Sequence, residues 1–147
     1  MNTFLTKDDY KGIITSDELE VITTDNEGEL TNEQVRKKTE NLAISKITKL
    51  IGERHDTNVI FSSTEQDRDD TIIEYTIYYT LYILHGSIAK KNVPEDRYEQ
   101  YREARDFFKE VFEGNKTIPG LPLLSEGDNN LNEVYRFGGE ESYPTGY

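Results

Sequence analysis

One uncharged stretch constrains the fold of this chain most strongly. Residues 75–89 carry no fully charged side chain, although charged residues make up 31% of the sequence. Such a gap predicts that residues 71–89 form a helix buried on most sides, at the centre of one core. The stretch is too short and too rich in tyrosine and threonine for a membrane span, because a bilayer needs about 20 mostly apolar residues.

The predicted central helix has two faces. Aliphatic residues that recur every three or four positions predict its core face: Ile73, Ile77, Leu81, Leu84 and Ile88. A second stripe beside it consists of Tyr75, Tyr78, Tyr79 and Tyr82. These tyrosines have two interpretations. Either their rings are buried at the edge of a bundle with the hydroxyls in water, or they form a contact surface for another subunit.

The length and composition predict an all-α protein with one domain. A chain of 147 residues has enough length for one core, and an apolar fraction of only 34% suggests that part of it lies outside that core. We expect a small helical bundle over residues 1–114, with two short N-terminal helices and three longer ones. An extended, irregular C-terminal arm follows over residues 115–147.

The charge of the chain is acidic and spread along the sequence. Its net charge is -12, from 29 acidic and 17 basic residues, and residues 1–52, 53–93, 94–113 and 114–147 each carry an excess of three acids. This distribution argues against an acidic tail and against a basic patch large enough for ordinary phosphate-backbone binding. The acidity indicates either simple solubility or a surface that must not hold nucleic acid.

The cellular setting is indicated by two absences in the sequence. There is no cysteine, which excludes a disulfide framework and thiolate chemistry and is typical of a reducing cytoplasm. The first residues also lack the basic and then apolar layout of a secretion signal. We therefore expect a chain made in the cytoplasm that has no membrane anchor.

Three helix starts share one capping pattern. Thr6, Thr15 and Thr31 are each followed three residues later by Asp, Glu or Gln, with apolar residues on either side. This is the capping box with a hydrophobic staple, so helices should start near residues 6, 15 and 31. Gly12 should end the first helix, and the turn at residues 23–28 the second.

The third predicted helix runs from about Asn32 to Ile51, and Gly52 should end it. Its inner face is predicted to carry Val35, Leu42, Ala43, Ile47, Leu50 and Ile51. Its outer, solvated face is predicted to carry Arg36, Lys37, Lys38, Glu40, Lys46 and Lys49. Residues 57–64 then predict a short extended piece or an anchored loop.

A last helix is predicted to form an antiparallel hairpin with the central one. Asn92 should cap it, with Pro94 in its first turn, and Gly114 should end it. Its inner face is predicted to carry Tyr98, Tyr101, Ala104, Phe108, Val111 and Phe112. The arm that follows is rich in glycine and proline and contains scattered apolar residues: Leu121, Leu123, Leu124, Leu131, Val134, Tyr135, Phe137, Tyr143 and Tyr147. It is either a disordered end or an arm that orders on a partner subunit.

No motif for catalysis, cofactor binding or metal binding is recognisable. Placing Gly28 at position 6 of a calcium loop puts Thr23 at position 1 and Gln34 at position 12, so two carboxylate ligands are missing and a turn is favoured. His55 and His85 have no partner at metal-ligand spacing. We expect His85 to be a packing residue with its hydrogen bonds satisfied and His55 to be exposed.

Several segments resemble the small head-to-tail adaptor proteins of tailed phages, also called connectors or head-completion proteins, of the Mu-like type. The resemblance lies in residues 4–10, in residues 18–23, in residues 25–28 before Val35, and in residues 98–116. It spans roughly residues 4–124. Members often have an Arg-Tyr-Pro-like run after the third helix, where this chain has residues 54–56 and no proline, and residues 125–147 have no counterpart.

The resemblance implies a structural protein of the virion at the junction of head and tail. Such a subunit joins a ring of about a dozen copies beneath the portal protein, contacts tail or second adaptor proteins, and lets DNA pass without binding it specifically. The arm and residues 53–66 would then contact the neighbouring rings. The alternatives are an acidic regulator that inhibits a nucleic-acid-binding enzyme by mimicking DNA and, after it, an enzyme with an unrecognised site.

Overall fold

The computed structural model describes residues 4–88 and 93–124, apart from the side chain of Ile88. A short 3-10 helix covers Lys7–Tyr10 and a second one covers Glu65–Asp67. Within these described residues there are also five α-helices: α1 (Ser16–Ile22), α2 (Asn32–Ile51), α3 (Thr57–Ser62), α4 (Asp70–Ile88) and α5 (Glu95–Phe112). The described residues therefore form a small all-α bundle, which confirms the predicted fold class.

The three capped starts lie where the sequence predicts them. The Thr15 hydroxyl accepts a hydrogen bond from the Glu18 backbone N–H, at 3.2 Å, at the start of α1. At α2 the box is complete, because Thr31 accepts from the Gln34 N–H at 3.1 Å and the Gln34 side chain accepts from the Thr31 N–H at 2.9 Å. These bonds satisfy N–H groups that a helix start leaves without a partner.

Helix α4 is the central helix, and it packs against α1, α2 and α5. Ile77, Leu81 and Leu84 are fully buried, as predicted, but the first core position is Ile72 and not Ile73, which is only half-buried. The threonines Thr76 and Thr80 are also fully buried. Each of their hydroxyls donates to a backbone carbonyl one turn earlier, so they need no partner from another helix.

Helix α2 differs from its predicted faces at four positions. Leu42 is 48% exposed, although its spacing places it on the inner face, and Ile44 is buried in its place. Arg36 and Glu40 were assigned to the solvated face and are buried. Their burial is tolerated because their polar groups are paired. The Tyr10 hydroxyl donates to Glu40 at 2.6 Å, and the Arg36 guanidinium donates to the same carboxylate at 3.1 Å.

Helix α5 runs antiparallel to α4 and confirms the predicted hairpin. It begins at Glu95 after Pro94, later than the predicted start, and Asn92 lies outside the described residues. Gly114 ends it as predicted, in a left-handed conformation with φ of 83°. Ala104, Phe108 and Val111 are buried, whereas Tyr98 and Phe112 were wrongly placed on the inner face and are exposed, Phe112 by 48%.

Residues 57–62 form helix α3, so the prediction of an extended piece or a loop over residues 57–64 is wrong. The Asp56 side chain accepts a hydrogen bond from the Val59 N–H, at 3.3 Å, and so caps this helix. Ile60 and Phe61 on its inner side are buried. The three β-branched and aromatic residues in a row suggested a strand, and the cap and the tertiary packing override that propensity.

No helix in the part of the chain that the structure describes is both long and apolar enough to cross a membrane.

Candidate functional site

The beginning of the C-terminal arm is fastened to the bundle. The Asp56 N–H donates to the Pro122 carbonyl at 3.1 Å, and the Leu124 N–H donates to the Arg54 carbonyl at 3.1 Å. His55 and Leu123 thereby form a single antiparallel β-bridge. We call residues 118–124 the arm root. Its contacts bring together two regions that were separate hypotheses in sequence, the arm and residues 53–66.

His55 is the residue that holds the arm root. Its side chain is completely buried, its Nδ1 lies 3.1 Å from the Pro122 carbonyl oxygen, and its Nε2 accepts a hydrogen bond from the Ile118 N–H at 3.2 Å. Because Nε2 must accept, the imidazole is neutral, with its proton on Nδ1. Burial lowers the pKa of His55 below its usual value, although the bond to Pro122 opposes that shift.

No local pattern indicates this arrangement, and the expectation that His55 is exposed is wrong. Its neighbours Glu53 and Arg54 are exposed, which is why the segment looks solvated. The residues that bury the imidazole come from the arm root, 63 and 67 positions later in the chain. Local pattern cannot reveal partners at that separation.

The predicted interface residues of the arm fall into two groups. Leu121 and Leu124 are half-buried against the bundle, and Leu123 remains 58% exposed. Val59, on the neighbouring helix α3, is also exposed. Tyr135, Phe137, Tyr143 and Tyr147 lie outside the described residues. The arm root therefore offers a modest apolar surface.

The tyrosine stripe of α4 packs against aromatic residues of α5. Tyr82 and Tyr101 stack in parallel with ring centroids 4.0 Å apart, and Tyr79 meets Tyr101 edge-on at 5.0 Å. Tyr75 meets Phe107 and Phe108 at 5.2 and 5.7 Å. Offset and edge-on pairs of this kind stabilise a helix contact beyond the area they bury. We call this cluster the aromatic seam.

Two hydroxyl groups of the tyrosine stripe on α4 donate hydrogen bonds to glutamates. Tyr75 donates to Glu103 at 3.0 Å and Tyr78 donates to Glu74. Burial and then the hydrogen bond to Glu103 raise the pKa of Tyr75 to about 12. Burial with the Glu74 contact likewise raises the pKa of Tyr78. This geometry fits the bundle-edge interpretation, and a subunit contact by these four tyrosines stays a prediction.

Folding separates the charges that are mixed in sequence. Helix α5 carries an exposed row of acids at spacings of four and three residues: Glu99, Glu103, Asp106, Glu110 and Glu113. Arg102 and Arg105 pair with two of them, Glu99 and Asp106. On α2, the exposed residues from Lys38 to Lys49 include three lysines and no acid, because Glu40 is buried. The two helices thus present outward faces of opposite charge.

A groove of about 600 Å³ lies beside the N-terminal half of α2. Its apolar lining comes from Ile22, Leu30, Val35 and Leu42, and its charged lining residues are Asp25, Glu27 and Lys38. Leu30 and Leu42 are exposed there. The Asp25 carboxylate is occupied in accepting the backbone N–H groups of Glu27, Glu29 and Leu30, which confirms a turn.

His85 is buried but has no hydrogen-bond partner for its Nε2, contrary to the expectation that it is satisfied. The nearest carboxylate, Glu18, lies 3.9 Å away, too far for a hydrogen bond. Burial and the nearby Arg97 lower the pKa of His85, although Glu18 opposes the shift. In the described ranges no three His, Asp or Glu side chains are grouped closely enough to hold a metal ion.

Comparison with known proteins finds no family model, no curated protein and no solved structure that matches this chain. Three features of the structure therefore bear on the function of this chain: the arm root, the aromatic seam and the charged faces.

Proposed function

We propose that this protein is a structural subunit of a phage particle, a head-to-tail adaptor that joins a ring between the portal and the tail. The observation that carries the proposal is the arm root. A compact helical body holds residues 118–124 through a fully buried histidine and two backbone hydrogen bonds, and the chain continues from there for 23 residues. A bundle with a fastened arm is suited to linking neighbours in an assembly.

The surfaces of the bundle support the same proposal. A ring requires two different faces on each subunit, because each copy contacts the next one head to tail. Helices α2 and α5 present outward faces of opposite charge, which is a property such a contact can use. The row of acids on α5 would also suit a channel wall, since it repels DNA phosphates and lets DNA slide.

The experiment is co-expression with the portal and tail proteins of a tailed phage, followed by electron microscopy. Deleting residues 125–147 should abolish assembly onto the portal and leave far-UV helicity intact, because the arm root and its contacts remain. A full-length variant with Tyr135→Ser and Phe137→Ser should fail in the same way. Its matched control, Asn129→Ser with Asn130→Ser, should assemble normally. Unchanged assembly after the deletion would remove the arm from the mechanism.

A second candidate, a DNA-mimic inhibitor, is favoured by the row of acids on α5. The row from Glu99 to Glu113 rises about 21 Å along the helix, a length over which a DNA strand carries several phosphates. Arg102 and Lys109 interrupt its negative charge, which weakens the likeness. Salt distinguishes the two candidates, because a mimic releases its basic partner steeply as salt rises, whereas a ring held by aromatic and apolar contacts persists.

A further inference from the structure

We propose that the C-terminal arm of the free protomer, residues 125–147, lies along the exposed face of its own helix α2 and places apolar side chains in the groove beside Leu42. The inference holds whether or not the protein joins a ring, so its test is separate from that of the proposed function. It rests on where the arm leaves the bundle, on its length, and on the match of charge and apolar residues.

The arm leaves the bundle at the right place. Leu124 is bonded to the Arg54 carbonyl, just beyond the C-terminal end of α2 at Ile51. From Ile51 back to Leu42 the helix rises about 14 Å. Leu131, the first large apolar residue of the arm, is seven residues past Leu124 and can reach up to about 23 Å. The length of the chain therefore allows Leu131 and the residues after it to reach the groove.

The two surfaces are complementary in charge. Residues 125–147 contain five acids and one arginine. The exposed face of α2 between Lys38 and Lys49 presents Lys38, Lys46 and Lys49 and no exposed acid, in a protein whose net charge is -12. An acidic segment is therefore attracted to this face and repelled by the row of acids on α5.

The apolar residues match as well. Leu42 is exposed between Lys38 and Lys46 on α2, and it lines the groove together with Ile22, Leu30 and Val35. The arm carries Leu131, Val134, Tyr135 and Phe137 within seven positions. Seating two or three of these side chains in the groove would cover apolar area that the described part of the chain leaves in water.

Paramagnetic relaxation in the full-length protein tests the inference. The chain has no cysteine, so Ser45→Cys places one spin label on the exposed face of α2, and Lys109→Cys places a control label on α5. With ¹⁵N-labelled protein we expect the Ser45→Cys label to erase the amide signals of residues 131–137 and the control label to leave them. In a mixed sample, the spin label is attached only to chains without ¹⁵N, and the signals come from ¹⁵N-labelled chains that carry no spin label. The amide signals of residues 131–137 should then remain.

Two variants show whether the contact is the proposed one. Lys38→Glu with Lys46→Glu should restore the arm signals, whereas Lys38→Arg with Lys46→Arg should not. Leu42→Ser should restore them without altering the bundle, because that side chain is exposed. Raising the salt to 1 M should also weaken the contact, since charges are then screened within about 3 Å.

Three results would overturn the inference. The arm signals could respond equally to the two labels, or they could be lost in the mixed sample, which would place the arm on a second copy. They could also stay erased in both the charge-reversal and Leu42→Ser variants, which would mean that the label senses an unspecific collapse. Backbone spectra of the bundle should remain unchanged in every variant, which confirms that the fold is intact.

Discussion

Replacing His55 by alanine should release the arm root from the bundle. The substitution leaves the buried Ile118 N–H without a partner, at a cost of about 1–3 kcal/mol, and removes one neutral hydrogen bond to Pro122, worth about 0.5–1.5 kcal/mol. The Pro122 carbonyl keeps its bond from the Asp56 N–H. We therefore expect a loss of about 2–4 kcal/mol of unfolding free energy.

Two further substitutions show how much of that loss of unfolding free energy comes from each imidazole nitrogen. In His55→Gln the amide oxygen lies near the former Nε2 and can still accept from Ile118, so the loss should be small. In His55→Asn the amide group lies near the former Nδ1 and keeps the hydrogen bond to Pro122, but the Ile118 N–H loses its acceptor. The expected order of stability is wild type, Gln, Asn and then Ala.

Urea unfolding measures the global effect, and hydrogen exchange of the Ile118 and Leu124 amides measures the local one. Both amides should exchange much faster in His55→Ala. His85→Ala provides the control, because it removes a buried histidine outside the arm root and should leave those two amides protected. The reasoning would be refuted if exchange at Ile118 were the same in wild type and His55→Ala.

Acidification should act on the same contact. The folded pKa of His55 lies below its usual value of 6.5, so the unfolded chain takes up a proton first as the pH falls. The stabilisation from His55 is therefore complete above about pH 6.5 and is lost below it, as the pH falls through the folded pKa. Wild type should lose more stability between pH 7 and pH 5 than His55→Gln, in urea titrations at each pH.

The remaining predictions concern the bundle, and each is read from urea unfolding. Glu40→Ala should cost about 3–5 kcal/mol, because it leaves the buried Arg36 without its carboxylate; a cost near zero would contradict the burial of that pair. Phe108→Ala should cost about 3–5 kcal/mol and Phe112→Ala less than about 0.5 kcal/mol, and equal costs would show that the two faces of α5 are misassigned. Thr31→Ala should cost about 1 kcal/mol through the lost cap, whereas Thr31→Ser should be nearly neutral.

Local signals in the sequence predicted the helices well. A capping box is encoded within four residues, so the starts at Thr15 and Thr31 could be recognised without any knowledge of the tertiary structure. The same holds for Gly114, whose left-handed conformation ends α5. The uncharged stretch likewise identified α4. A helix that packs against three others is buried on most sides, and charged side chains are rarely buried.

Tertiary partners account for what the sequence did not predict. Glu40 looks like a surface residue until Tyr10, thirty positions earlier, donates to it. The exposure of Leu42 depends on which side of α2 the other helices cover, and helical spacing alone fits either side. His55 is buried by the arm root, which follows a complete hairpin of two long helices. In each case the deciding contact is distant in sequence and so absent from any local pattern.

Electron microscopy of the protein mixed with the portal and tail proteins of a tailed phage shows directly whether it acts as a head-to-tail adaptor. We expect a ring of about a dozen copies between the two partners, with the arm of each copy contacting a neighbour. The proposed function would be contradicted if the chain stayed monomeric beside intact particle components. It would also be contradicted if the chain instead captured a basic nucleic-acid-binding enzyme and released it as salt rises.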